Sequence, residues 1–414
     1  MTSDLFVPRK LAQKLPDSSA RRLVVITGAR QTGKTTLSRR VYGGLKYINL
    51  DAPENRDALR ELSTVGWAES VGDAVIDEAQ KEPSVFEKVK YAFDDRKVSF
   101  TVLTGSSQIL LLQKIRESLA GRAFFYELWP LMQSELHASR MGSEPRDPLL
   151  ARCFASEPIN DILAAGPEIL LESSDYPYRK VEEHLLRWGG MPALLELSEE
   201  DRWLWLQNYG HTYLQRDLAD LARLDDLMPF RKFQRLSALR SGMLLNYSEI
   251  ARDAAVSVDT ARRYLEYLRV SYQAVLLQPY SRNLTSSVVK TPKLYWTDVG
   301  IWRQLTGFRG EMSGQLYETM VVGEIVKWMR TCQPEAELCF YRTRSGMEVD
   351  LLLETPSGLI GMEIKPRSTV SEKDARPLKA LAEALAAQWR CGIVRLVLPP
   401  GVRGMDAHAA RCGA

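Results

Sequence analysis

At 414 residues the chain is long for one hydrophobic core and predicts a protein of about two to four domains. Its net charge of +3 excludes a global basic field, so any nucleic-acid contact must be local, and no run reaches the roughly 18 apolar residues of a membrane span. The N-terminal MTSDLFVPRKLAQKLPDSS lacks the apolar centre of a signal peptide, and the scattered cysteines Cys153, Cys332, Cys339, Cys391 and Cys412 never fall in a CxxC spacing. This argues against a disulfide framework or a zinc site and predicts a cytoplasmic protein with reduced thiols and no membrane partner.

The first informative stretch is Leu23 to Val41, LVVITGARQTGKTTLSRRV. An apolar, β-branched strand ends at Gly28, and Gly28-Ala29-Arg30-Gln31-Thr32-Gly33-Lys34-Thr35 fits GxxxxGK[ST] at every fixed position. The glycines let backbone N–H groups curl round a phosphate chain, and the following helix turns its positive end toward the anion. Residues Gly28 to Thr36 are thus predicted to bind ATP, with Lys34 at the β- and γ-phosphates and the Thr35 hydroxyl on Mg²⁺. Glycine-rich strand-to-helix turns also exist without nucleotide, but here strand, loop and helix stand in the order the phosphate site requires.

Thr35 to Tyr42 reads as a helix, Lys46 to Leu50 as a strand and Pro53 to Leu62 as a helix, the alternation of a parallel α/β sheet. The next strand, Ala74-Val75-Ile76, runs into Asp77-Glu78. In that position Asp77 would hold Mg²⁺ through its water shell and Glu78 would polarise the attacking water. A helix over Pro83 to Asp95 leads to a buried strand, Val98 to Thr104, whose tip offers Ser106 either as a sensor of the γ-phosphate or as a plain helix cap. Arg122, on the Gly-bounded turn of Leu119-Ala120-Gly121-Arg122, reads either as a finger completing a neighbouring subunit's site in a homo-oligomer or as a structural ion pair.

Met141 to Tyr178 is polar and proline-dotted and reads as an insertion or connector with no chemistry of its own. A long helix over Trp203 to Leu224 carries Arg216, a lid residue or one half of a solvated pair with Asp217. Asn246 to Pro279 then reads as a helix-turn-helix: Ser248 capping Glu249 to Ala254, a turn at Ala255 to Val258, and Asp259 capping a second helix with Thr260, Arg262 and Arg263 near its start. That helix suits a DNA major groove, with Lys293 to Trp296 as a wing strand, although winged helices also serve as scaffolds between proteins.

From Gln315 onward the order is αβββαβ: a helix over Leu316 to Met329, strands near Leu338 to Tyr341, Met347 to Leu353 and Leu359 to Ile364, a helix over Glu372 to Ala387 and a strand over Gly392 to Leu398. Asp350 and Glu363 on adjacent strands can share one Mg²⁺, Lys365 stands on the same strand face as Glu363, and Glu318 approaches from the helix. Such a set suits metal-dependent phosphodiester cleavage. It equally suits an ion-pair cluster in a recognition module. Glu324 is rotated off that face, which makes Glu318 the preferred helix acid.

Together GARQTGKTT, VIDEAQ, LTGSSQ, LAGR, WGGMP, TYLQRDL, NYSEIARDAAVSVDTARRYLEYL, KLYWTDVGIW, LYETMVVGEI, EVDLLL and GMEIK resemble the prokaryotic AAA+-superfamily P-loop ATPases that carry a C-terminal domain of unknown function 4143. The resemblance covers nearly the whole chain except the Met141 to Tyr178 insertion. It implies a P-loop core over 1–135, a helical lid with insertion over 136–228, a winged helix over 229–298 and a PD-(D/E)xK nuclease-like domain over 299–414. Gly190-Met191-Pro192 is similar to the GxP element of signal-transducing ATPases. Val349 stands before Asp350 where nucleases of this fold often have proline; that proline is not a ligand. The expected activity is ATP hydrolysis with Mg²⁺, acting on branched or duplex DNA, with an ATP-dependent signalling switch as the alternative.

Overall fold

The computed structural model describes residues 6–105, 119, 121–155, 157–164, 176–213, 227–280, 289–333, 335–367, 371–386 and 388–396. Ser106 and Arg216 lie outside the described residues. The chain divides into two compact units, one of Met1–Leu131, Met191–Met228 and Arg263–Gln273, the other of Met132–Gly190, Pro229–Arg262 and Ala274–Ala414.

In the first unit β1 (Arg22–Thr27), β2 (Lys46–Asn49), β3 (Ala74–Asp77), β4 (Phe100–Thr104) and β5 (Ala123–Glu127) form a sheet in the order β2-β3-β4-β1-β5. Each pairing is parallel. On one face Leu23 and Val25 pack with Ile76, Leu103, Trp67 and Phe86; on the other Val24 and Ile26 pack with Val75, Val102 and Leu37. A sheet covered on both faces calls for uninterrupted apolar strands, which is why β1 and β3 read so clearly in the sequence. Placing β4 between β1 and β3 brings its tip, Thr104, beside Asp77. Strand β5 went unrecognised in the sequence, because it is an edge strand whose Phe124 and Phe125 each remain 45% exposed and supply no buried pattern.

In the second unit β6 (Met243–Leu244), β7 (Ala274–Pro279), β8 (Lys293–Trp296), β9 (Glu337–Arg342), β10 (Glu348–Thr355), β11 (Gly358–Lys365) and β12 (Trp389–Leu396) form one sheet in the order β12-β11-β10-β9-β7-β8-β6. Strands on either side of residue 298 join through the parallel pairing of β7 with β9, Gln278 opposite Cys339. Helix Gly314–Cys332 starts at Ser313, whose hydroxyl accepts from the Leu316 N–H at 3.1 Å. Its Gly323 lets it lie close to the chain after β8, since a Cβ there would stand 3.0 Å from the Thr297 carbonyl oxygen. The insertion includes helices Leu149–Phe154 and Ile159–Ala164, and Phe154 meets Trp328 of the long helix edge-on at 5.3 Å.

The helix pair is present as Tyr247–Ala254 and Val258–Val270, with its caps displaced from the expected residues. Asn246, not Ser248, caps the first, accepting from Glu249 N–H at 3.2 Å, because the helix begins two residues earlier than its charged stretch suggested. Ser257, not Asp259, accepts from Thr260 N–H at 3.1 Å at the second. Among the described residues no helix is long and apolar enough to cross a membrane.

Candidate nucleotide site and carboxylate cluster

At the end of β1 the loop turns on backbone that side chains resist. A Cβ on Gly28 would lie 2.1 Å from the Leu128 carbonyl oxygen, and Gly33 has φ 93°. Lys34 donates to the carbonyls of Gly28 at 3.0 Å and Ala29 at 2.8 Å, and Thr32 Oγ1 donates to Ala29 O at 2.9 Å. Arg9, which the sequence gave no reason to single out, braces the loop by donating to Thr32 O at 2.6 Å and Trp129 O at 2.5 Å.

Asp77 sits at the tip of β3, 2% exposed. Its carboxylate accepts from Thr35 Oγ1 and from Tyr47 Oη, each at 2.6 Å, and from the Thr104 hydroxyl. Burial, and then the bond to Asp77, push the Tyr47 hydroxyl well above its ordinary pKa, so it remains a donor. Glu78 follows in left-handed backbone, φ 55°, unusual outside glycine, and its carboxylate accepts from the Gln80 amide. Thr35 and Asp77 therefore meet beside the loop as hard oxygen donors, a set that fits Mg²⁺. Arg122 lies on the expected turn and pairs within the chain with Asp94 at 2.7 Å.

The second constellation lies on β10 and β11. The β9–β10 register shifts between Val349 and Leu352, so Asp350 occupies a bulge, a device that re-aims side chains. Asp350 accepts from the Ile364 N–H at 2.8 Å, and Lys365 Nζ lies 2.6 Å from Glu363 and 3.5 Å from Asp350. Burial, with the Asp350 charge next, pushes the Glu363 carboxyl up to about 8. Burial pulls the Lys365 amine down, but the Asp350 and Glu363 charges outweigh it and hold its pKa above the ordinary value.

Glu318 is bonded not to these residues but to partners on β8: Tyr295 Oη donates to it at 2.5 Å and Lys293 stands 3.5 Å away, while the Asp350 charge acts on it without direct contact. Lys293 also pairs with Glu348, which Arg342 reaches at 3.0 Å. Burial raises the Glu318 pKa. Glu324 instead accepts from Gln133 N–H at 2.6 Å and pairs with Lys327 at 2.5 Å. Among the described residues no three acids, histidines or cysteines surround a metal position. The pairing of Lys293 and Tyr295 with Glu318, and of Lys293 with Glu348, escaped the sequence reading because only the tertiary fold brings β8 to Glu318 and to the start of β10.

On the helix pair, Arg262 and Arg263 are exposed, Arg262 with its guanidinium 5.1 Å from the Tyr247 ring centre, while the Thr260 hydroxyl accepts from Ser257 at 2.9 Å.

Sequence-family models match in three consecutive blocks: an AAA domain at residues 20–137, a domain of unknown function (DUF8612) at 179–311 and a domain of unknown function (DUF4143) at 313–397. An uncharacterized protein of Mycobacterium tuberculosis is 29% identical over 359 residues, covering 84% of this chain and 71% of its own length. One from Methanocaldococcus jannaschii is 22% identical over 350 residues, covering 80% and 72%. Among solved structures, the Walker-type ATPase of Pyrococcus abyssi is similar at 18% identity and TM-score 0.41, over 72% of this chain and 95% of its own. The phosphate loop and Asp77-Glu78 fall inside the AAA block and Asp350, Glu363 and Lys365 inside the last, so the chain carries a P-loop AAA-type domain and a C-terminal DUF4143 domain.

Proposed function

We propose that this protein binds and hydrolyses Mg²⁺-ATP to act on duplex or branched DNA. The observation that carries the reading is the convergence of Thr35, Tyr47 and Thr104 on Asp77 beside Lys34. In it Lys34 leaves its loop carbonyls to neutralise phosphate charge, Thr35 and Asp77 hold Mg²⁺, and Glu78 orients water. Mg²⁺ held by these oxygens would neutralise phosphate charge. Exposed Arg262 and Arg263 at the start of helix Val258–Val270 meet DNA, and the subunits self-associate so that Arg122 serves a neighbour's site.

In the C-terminal domain the reading assigns Asp350 and Glu363 as oxygen ligands for Mg²⁺, with Lys365 beside the reacting water and Glu318 as supporting acid, in a phosphodiesterase. A second reading, a switch with an inert recognition domain, draws support from Lys293 and Lys365, which already pair with the carboxylates.

One set of measurements tests this. Wild type is expected to hydrolyse ATP, Lys34→Ala to lose nucleotide binding, and Glu78→Gln to bind without turnover. Binding to labelled duplex, forked and four-way DNA should fall steeply with salt. Full ATPase activity in Lys34→Ala would sink the nucleotide assignment. Absence of DNA binding at low salt would leave the signalling switch, and absence of Mg²⁺- or Mn²⁺-dependent nicking would leave the recognition domain.

A further inference from the structure

Helix Val258–Val270 ends in a Schellman arrangement: Tyr272 N–H donates to Arg269 O at 3.0 Å and Gln273 N–H to Leu268 O at 2.9 Å. The residue this leaves in left-handed backbone is Tyr272, φ 61°, at a position usually held by glycine. A side chain retained against that preference needs a compensating role, and the contacts of Tyr272 supply one. The residue is 7% exposed. Its ring meets Trp129 edge-on at 4.8 Å, and its hydroxyl lies 2.8 Å from Thr27 Oγ1 and 3.4 Å from Glu127.

Thr27 is the last residue of β1, and Gly28 follows with the carbonyl to which Lys34 donates. Gly28 has no slack, because the Leu128 carbonyl packs against its Cα. From the other side Arg9 joins Trp129 O to Thr32 O across the loop. The contacts close a circuit: Tyr272 to Thr27, through Gly28 and the loop to Thr32, by Arg9 to Trp129, and back to the Tyr272 ring. A displacement of Tyr272 therefore reaches both ends of the phosphate loop.

We propose that Tyr272 is a positioning residue for the phosphate loop, setting its affinity for nucleotide from the C-terminal end of the helix that carries Arg262 and Arg263. This rests on the ATP reading above. By linkage, nucleotide entering the loop acts with equal strength on the seating of Tyr272.

The test pairs Tyr272→Phe, which keeps the ring on Trp129 and deletes the hydroxyl, with Thr27→Val, which deletes its partner. Each single change is expected to weaken binding of a fluorescent ATP analogue about five-fold, the worth of one hydrogen bond. KM for ATP should rise in step while kcat moves less, and the double variant should bind no more weakly than either single one. A purely structural tyrosine would lower the melting temperature and leave affinity and KM alone. Should Tyr272→Phe fail to fold, Thr27→Val makes the same measurement from the other side of the bond. Wild-type affinity and KM in the variants, or losses that multiply in the double variant, overturn the inference alone. Absence of nucleotide binding by wild type overturns the ATP reading and the inference with it.

Discussion

The phosphate loop and the C-terminal carboxylate cluster both gather charge at strand ends, yet they hold it differently. Lys34 reaches backbone carbonyls of its own loop, and Asp77 is held by three hydroxyls and a backbone N–H. Carbonyls and hydroxyls are neutral partners that can be exchanged for a ligand. Around Asp350 and Glu318 the acids instead face full cations, Lys365 and Lys293. Charge paired inside the chain serves stability and shape first, and chemistry there requires a pair to open.

The largest expected difference is in the response to losing a lysine. Lys293, 3% exposed, faces Glu318 and Glu348; its replacement leaves half-buried Glu318 with the Tyr295 hydroxyl alone while Glu348 keeps Arg342, so Lys293→Met should lower stability by about 1–3 kcal/mol in denaturant melts. Lys34→Met removes bonds to neutral carbonyls and should shift the same melts far less. Equal destabilisation would erase the distinction between the sites.

Next in size is pH. The fold raises the Glu363 carboxyl from its ordinary 4.5 to about 8, so it favours the protonated form. Its stabilising contribution is complete below 4.5 and is lost as pH rises through about 8. Buried Glu318 and Asp298, also raised, act in the same direction, whereas Asp253 and Asp374 are lowered and act only below their ordinary 3.8. These carboxyls contribute a decline over that interval, against which His137 of the same unit, lowered by burial, adds stability as pH rises through its own range. Glu363→Gln should flatten part of the decline in thermal melts taken at a series of pH values, and an unchanged slope would show that Glu363 is not the group responsible.

The smallest structural effect belongs to Arg122. Its pair with Asp94 is solvent-exposed, so Arg122→Ala should leave the melting temperature almost unmoved. If the nucleotide site is completed by a neighbouring copy, turnover should fall while affinity holds, and mixing with Lys34→Ala should restore part of it. A monomeric active species would remove Arg122 from the site.

How much of this was legible in the sequence follows from how local each constraint is. The loop from Gly28 to Thr35 announces itself because its glycines, lysine and threonine act within one turn of chain. Asp77 and Glu78 were visible because an apolar strand ends on them. Tyr47 and Thr104 were not: nothing in the sequence of β2 says that its tyrosine will reach an acid at the tip of β3, nor which acid Thr104 will face once β4 slots between β1 and β3. Asp350 was found by its spacing to Glu363 and Lys365, whereas the bulge that aims it depends on β9. Lys293 and Tyr295 read as wing residues; their burial beside Glu318 comes from a sheet assembled from distant segments. Tyr272 gave no signal, because its left-handed backbone shows only in three dimensions.

The parallel pairing of β7 with β9 carries a practical consequence for anyone dividing the chain. A fragment beginning at residue 299 would retain β9 through β12 but discard β7, β8 and β6, leaving the β9 backbone without its ladder on that side. A bare strand edge bounded by Cys339, Phe340 and Tyr341 is a template for pairing with other copies. Such a fragment would be prone to precipitate or to swap strands, and it would lack Lys293 and Tyr295 against Glu318. Failure of a fragment cut there to cleave or bind DNA would report a broken sheet rather than an inert domain.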